Sequence, residues 1–164
     1  HLTLLNLGHN QITPRGACAI AGSIAQGALP ALTVLNMSEN PILDEGMVAL
    51  CAVSAHIPEL TVLEIPQCGI GDIGGAALAA AGKAGNLKKL YAIYLRANQI
   101  ADTAFIQLCE AFECGGFPGL QCMHFNVRNT LCTSGNTVIS SDIIWMTTGL
   151  QGKSTVYEVP AAWG

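Results

Sequence analysis

Apolar residues recur along this chain in columns. Leu2, Leu32, Leu60 and Leu90 form the first, Leu5, Leu35, Leu63 and Ile93 the second, and Leu7, Met37, Ile65 and Leu95 the third. The second and third columns lie two residues apart, the period of a strand with one face inward, which predicts short strands at 4–8, 34–38, 62–66 and 92–96. A fourth column holds Asn10, Asn40, Cys68 and Asn98, and a fifth Ile12, Ile42, Ile70 and Ile100. An asparagine amide at a buried turn satisfies backbone groups that neighbouring strands leave unpaired, so the fourth column is expected inside.

After each turn the rhythm changes. Gly16, Gly46, Gly74 and Ala104 are each followed four residues later by Ile20, Leu50, Leu78 or Leu108, the spacing of an inward helix face. Pro30, Pro58 and Pro118 stand two residues before the next leading leucine and are expected to stop the helix. Strand, turn and helix therefore form one unit that returns after 28 to 30 residues, the signature of a stacked array.

A fifth unit starts at Leu120, with Met123 and Phe125 in the core columns, but Arg128 stands where the asparagine would. The expected organisation is four clear units plus the start of a fifth over 1–126, then a divergent end over 127–164. Within that end, Ser141-Asp142 is expected to cap a helix running to about Gly149, and 154–159 to form a sixth, edge strand. The tail after Pro160 has no assignment.

The pattern L-x-x-L-x-L-x-x-[NC]-x-I, with a helix in every unit, resembles the ribonuclease-inhibitor-like class of leucine-rich repeats, which includes the activator of the GTPase Ran and NOD-like receptors. The resemblance covers residues 2–125. It implies an α/β fold, a curved solenoid of about five repeats with a parallel sheet on the concave side and helices on the convex side. It further implies a non-catalytic protein-interaction scaffold within a larger intracellular protein or assembly. The alternative it offers is a GTPase-activating protein like that of Ran, although no catalytic residue carries across and the acidic tail of that family has no counterpart here.

Composition narrows the partners. Hydrophobic residues make up 51% of the chain and charged ones 11%, against about 25% in ordinary soluble domains. With a formal charge of -4 and seven Lys plus Arg, there is no basic stripe, and nucleic acid is not expected as a partner. Residues 16–38 are uncharged, but Gln26, Pro30 and Asn36 interrupt them, so no membrane span is expected. The chain opens on His1 inside a repeat without a signal-peptide pattern and reads as a piece of a longer polypeptide. The seven cysteines, mostly at small apolar positions, are read as reduced thiols in an intracellular, cytoplasmic protein.

Few residues suggest chemistry. The stretch "GIGDIGG" places Gly69, Gly71 and Gly74 as G-x-G-x-x-G between a strand and a helix, yet no Asp or Glu follows between 73 and 101 to hold a ribose. Cys109, Cys114, Cys122, His124 and Cys132 contain no C-x-x-C, so no metal is expected, and no nucleophile is placed with a base. No cofactor is expected. The informative surface is the concave sheet, whose outward positions are mostly small. Tyr94, Arg96, Glu64, His124 and Asn36 are the exceptions by size and polarity, and are taken as the partner-binding residues. Residues 16–28 and 74–85 are apolar nearly all round, which suggests a second contact on the convex helices.

Overall fold

The computed structural model describes residues 1–124 throughout, together with the backbone of two strands at 144–148 and 154–158. Five strands, β1 (Leu4–Asn6), β2 (Val34–Asn36), β3 (Val62–Glu64), β4 (Ala92–Tyr94) and β5 (Cys122–His124), pair in parallel in chain order. Between them run α1 (Pro14–Ala25), α2 (Leu43–Ala52), α3 (Asp72–Lys83) and α4 (Asp102–Glu113), so every crossover carries one helix. The strands are three residues long, shorter than the sequence pattern suggests. The third column is nevertheless inside, with Met37, Ile65 and Leu95 buried beyond the strand ends.

The first three columns supply the core between sheet and helices. Leu32, Leu35, Leu60, Leu63, Leu90 and Ile93 are buried, and they meet Ala21, Leu50, Leu78 and Leu108 from the helices. Among the described residues the first unit packs on one neighbour, and Leu2 and Leu4 are 51% and 54% exposed.

The asparagine column joins each unit to its predecessor. Asn40 donates through Nδ2 to the carbonyls of Leu7, Met37 and Ser38, and its Oδ1 accepts from the Ile12 N–H. Asn98 likewise donates to Ile65 and Leu95 and accepts from the N–H groups of Cys68 and Ile70. At the variant position the Cys68 thiol donates to the Met37 carbonyl across the repeat boundary. Asn10 departs from the expectation of burial: it is exposed and bonds only to Leu7 and Gly8 of its own unit. Among the described residues it bridges no other unit.

Helix ends are set differently from the expectation that prolines stop them. α1, α3 and α4 end in Gly27, Gly85 and Gly115 with positive φ of 82°, 74° and 74°. Each closes the paired 6→1 and 5→2 backbone bonds of a Schellman turn, as where Ala28 N–H meets Ser23 O and Gly27 N–H meets Ile24 O. Pro30, Pro58 and Pro118 come later, in the return to the sheet. α2 has no such glycine and runs into a 3-10 turn at Ser54–His56.

The small residues of α3 have a packing reason. A Cβ at Gly75 would lie 2.8 Å from the Ala104 Cβ of α4, and one at Gly46 2.8 Å from the Ala17 Cβ of α1. Neighbouring helices therefore approach with almost no side chain between them. Helix starts are also shared between units. The Asp44 Oδ1 of α2 accepts from Gly71 N–H at 2.7 Å and Gly74 N–H at 2.8 Å, capping α3 from outside, and Asp72 accepts from Ala101 N–H before α4. Loss of a helix cap costs about 1 to 2 kcal/mol, so Asp44→Ala should lower the urea midpoint accordingly; an unchanged midpoint would show that water replaces the carboxylate at no cost.

The C-terminal expectations need correction. In place of a helix from Ser141 to Gly149, β6 occupies Ile144–Thr148, and its Ile-Trp-Met-Thr-Thr run has β-branched and aromatic strand formers. The strand expected at 154–159 is present as β7 (Ser154–Glu158), but it pairs antiparallel with β6 in a separate two-stranded sheet and does not extend the parallel one. The antiparallel pairing bonds β6 and β7 to each other in place of an edge position on the parallel sheet. The fifth-repeat turn at Arg128 and the tail after Pro160 lie outside the described residues.

Candidate protein-binding face

Parallel register aligns one outward residue from each strand. Asn6, Asn36, Glu64, Tyr94 and His124 face one another in order across β1 to β5. Chemistry changes along this row. Asn6 Oδ1 accepts from the Gly8 N–H, and Asn36 Oδ1 accepts from both the N–H and hydroxyl of Ser38, so these amides are engaged in their own turns. From β3 onward the side chains are larger, and those of Tyr94 and His124 meet.

The Tyr94 and His124 rings meet with centroids 4.6 Å apart at a tilt of 42°. His124 Nε2 lies 2.8 Å from Cys122 Sγ, two residues earlier on the same face. Burial, assisted by the charge of Arg96, pushes the imidazole below its ordinary pKa. Burial also raises the Tyr94 phenol, with smaller contributions from Cys122, Glu64 and Tyr91. Both rings are therefore neutral near pH 7. Arg96 is exposed at the end of the same strand, whereas Glu64 and Asn36 are half-buried. The structure thus brings Glu64, Tyr94, Arg96 and His124 together over β3 to β5, with Asn36 one strand further out.

A further aromatic residue is exposed at the start of β4. Tyr91 is 49% exposed beside β4. It occupies the position held by Thr3, Thr33 and Thr61 in the earlier repeats, where the hydroxyls of Thr33 and Thr61 bond to the preceding repeat's backbone. A phenol is too long for that bond, and its ring stands out from the sheet. The repeat register contained this signal: a tyrosine in a threonine column.

The other candidate sites are used structurally. The glycine stretch does not hold open N–H groups for a phosphate, because Gly71 and Gly74 already donate to Asp44, whose Oδ1 would lie 2.8 Å from a Cβ at Gly74. Cys109 lies on α4 and Cys114 just after it, on the opposite side of the layer from Cys122 and His124. Cys132 lies outside the described residues. Burial pushes the Cys51 thiol up to about 12, so it packs as a small apolar group. No helix among the described residues is long and apolar enough to cross a membrane.

Comparison with known proteins agrees with this geometry. A family model described as "Leucine Rich repeat" matches residues 1–21, 29–51 and 56–79. No curated protein matches the chain in sequence. Among solved structures, the chain is similar to one titled "Leiomodin-1 Actin-Binding Site 2 (ABS2)", with a TM-score of 0.58 and 16% identity. That likeness covers 70% of this chain and 64% of the other, so the chain spans less than two thirds of the structure it matches. At that identity it speaks for the fold. With the repeat matched in the first three units and the same parallel register continuing to β5, the fold is that of a leucine-rich-repeat solenoid of about five repeats.

Proposed function

We propose that this solenoid is a non-catalytic protein-binding module that engages its partner through the sheet face over β3 to β5. The observation that carries the reading is the stacked Tyr94–His124 pair beside exposed Arg96, in a row whose earlier positions are asparagines engaged in their own turns. Tyrosine and arginine are the side chains that most often anchor protein interfaces, and a rigid parallel sheet holds them without a further ordering cost. Glu64 and Asn36 extend the contact toward β2.

The module serves within a larger intracellular protein or assembly. Leu43, Val48, Ile73 and Ile106 are exposed on the helices, and Ile73 reaches 67%, which supports a second contact on that side. Burial of the Cys68 thiol in a hydrogen bond to the Met37 carbonyl supports a reduced setting.

Crosslinking mass spectrometry on the full protein from its source, followed by affinity measurement with the partner so identified, tests the reading. Tyr94→Ala is expected to weaken binding about thirtyfold, the effect of losing an interface anchor worth about 2 kcal/mol. Crosslinks confined to the helices, with unchanged affinity for Tyr94→Ala, would move the partner off the sheet.

A further inference from the structure

We infer that the sheet-face patch takes an acidic peptide segment, with a carboxylate on the Arg96 guanidinium and an apolar side chain over Tyr91 and Tyr94. This rests on the reading of that face as the partner-binding one. It adds the chemistry of the partner.

Charge is the first argument. Three ion pairs join described residues, His9–Glu39, Lys83–Glu110 and Lys89–Glu59, and Arg96 belongs to none of them. It is also the sole Lys or Arg among the described outward positions of the sheet, since Lys83 lies on α3 and Lys88 and Lys89 on the return to β4. A guanidinium presents planar, forked donors that match a carboxylate in two parallel bonds. The neighbouring acid, Glu64, is in register with Tyr94 and stands two positions short of Arg96 on the adjacent strand. Glu64 is half-buried and Arg96 exposed, so the charge a ligand reaches first is positive. A basic segment would meet that cation directly.

The aromatic residues provide the second argument. The Tyr94–His124 stack forms apolar surface next to the cation, and Tyr91, 49% exposed, extends it at the other end of β4. His124 contributes a neutral ring, because its imidazole is pushed below the ordinary value. The patch thus pairs one reachable positive charge with an aromatic surface. A segment with Asp or Glu near an apolar residue complements both.

The test probes an array of hexapeptides with the purified, labelled full chain. Three sets share the same apolar residues and differ in carrying two acidic, two basic or two uncharged polar positions. The acidic set should bind at least about tenfold tighter than the others, and Arg96→Glu should transfer that preference to the basic set. An exposed arginine contributes little to stability, so the Arg96→Glu melting curve should match that of the parent chain. A preference for basic or uncharged peptides, or an acidic preference that survives Arg96→Glu, would overturn the inference. If all three sets bind alike and lose affinity with Tyr94→Ala, the partner face stands and the acidic specificity fails. If no set binds, or binding ignores Tyr94→Ala, both readings fail.

Discussion

Asn98→Ala is expected to destabilise the solenoid by about 3 kcal/mol, as the loss of a polar bridge whose partners cannot reach water. The amide accepts from Cys68 N–H at 3.0 Å and Ile70 N–H at 3.1 Å, and donates to Ile65 O at 2.7 Å and Leu95 O at 2.9 Å. Alanine would orphan all four groups where Asn98 is 8% exposed. One unsatisfied buried group costs about 1 to 3 kcal/mol, and relaxation keeps the total below the sum of four. Asn10→Ala provides the contrast. That side chain is exposed and bonds only within its own turn, so its removal should change stability by less than about 0.5 kcal/mol. Urea denaturation of both variants checks the pair; equal losses would mean that the amide acts locally and does not join repeats.

Gly82→Ala is expected to destabilise by about 2 kcal/mol, although alanine is the better helix former by about 1 kcal/mol. Gly82 lies in the last turn of α3, and the Phe117 ring packs directly on its Cα. An added Cβ would fall in contact with Phe117 Cζ and within 2.6 Å of Cε2. Phe117 is 1% exposed and has nowhere to turn, so the ring or the helix must move. In a Phe117→Leu background the smaller side chain should make room. Gly82→Ala should there be neutral or stabilising, and thermal melts of the four proteins in the cycle measure the coupling. A loss that is the same in both backgrounds would place the strain elsewhere.

The sequence is most legible where one side chain type serves one geometric purpose. Leu35, Leu63 and Ile93 alternate with Met37, Ile65 and Leu95 because a strand must put every second residue inside, and all six are buried. Features that depend on contacts between repeats were less visible. Asp44 is an ordinary acidic residue in the sequence, and only the stacking distance turns it into the cap of another helix. The glycines of α3 similarly resemble a polar-free helix face until Ala104 and Phe117 are seen against them. The proposed binding patch falls between these cases. Tyr94, Arg96, Glu64 and His124 stand out by type at outward strand positions, whereas Tyr91 lies one position before the first outward row. At β6 the Ser-Asp pair outweighed the β-branched and aromatic run that follows it, and the helix reading failed there.

The bridges between repeats form a graded series of couplings along the stack. The first and second repeats are joined by the Asn40 amide, and Pro14 occupies the place of a bridging aspartate. The second and third are joined by the Asp44 carboxylate with a weaker thiol bond from Cys68. The third and fourth have both an amide and a carboxylate, Asn98 and Asp72. In a nearest-neighbour array, opening starts where coupling is weakest and an end is free. Of the three boundaries from β1 to β4, the Asn98–Asp72 one is therefore expected to open last. Glu64 and Tyr94 sit on the two strands which that boundary joins, so the proposed binding face lies on the most strongly coupled of these three boundaries.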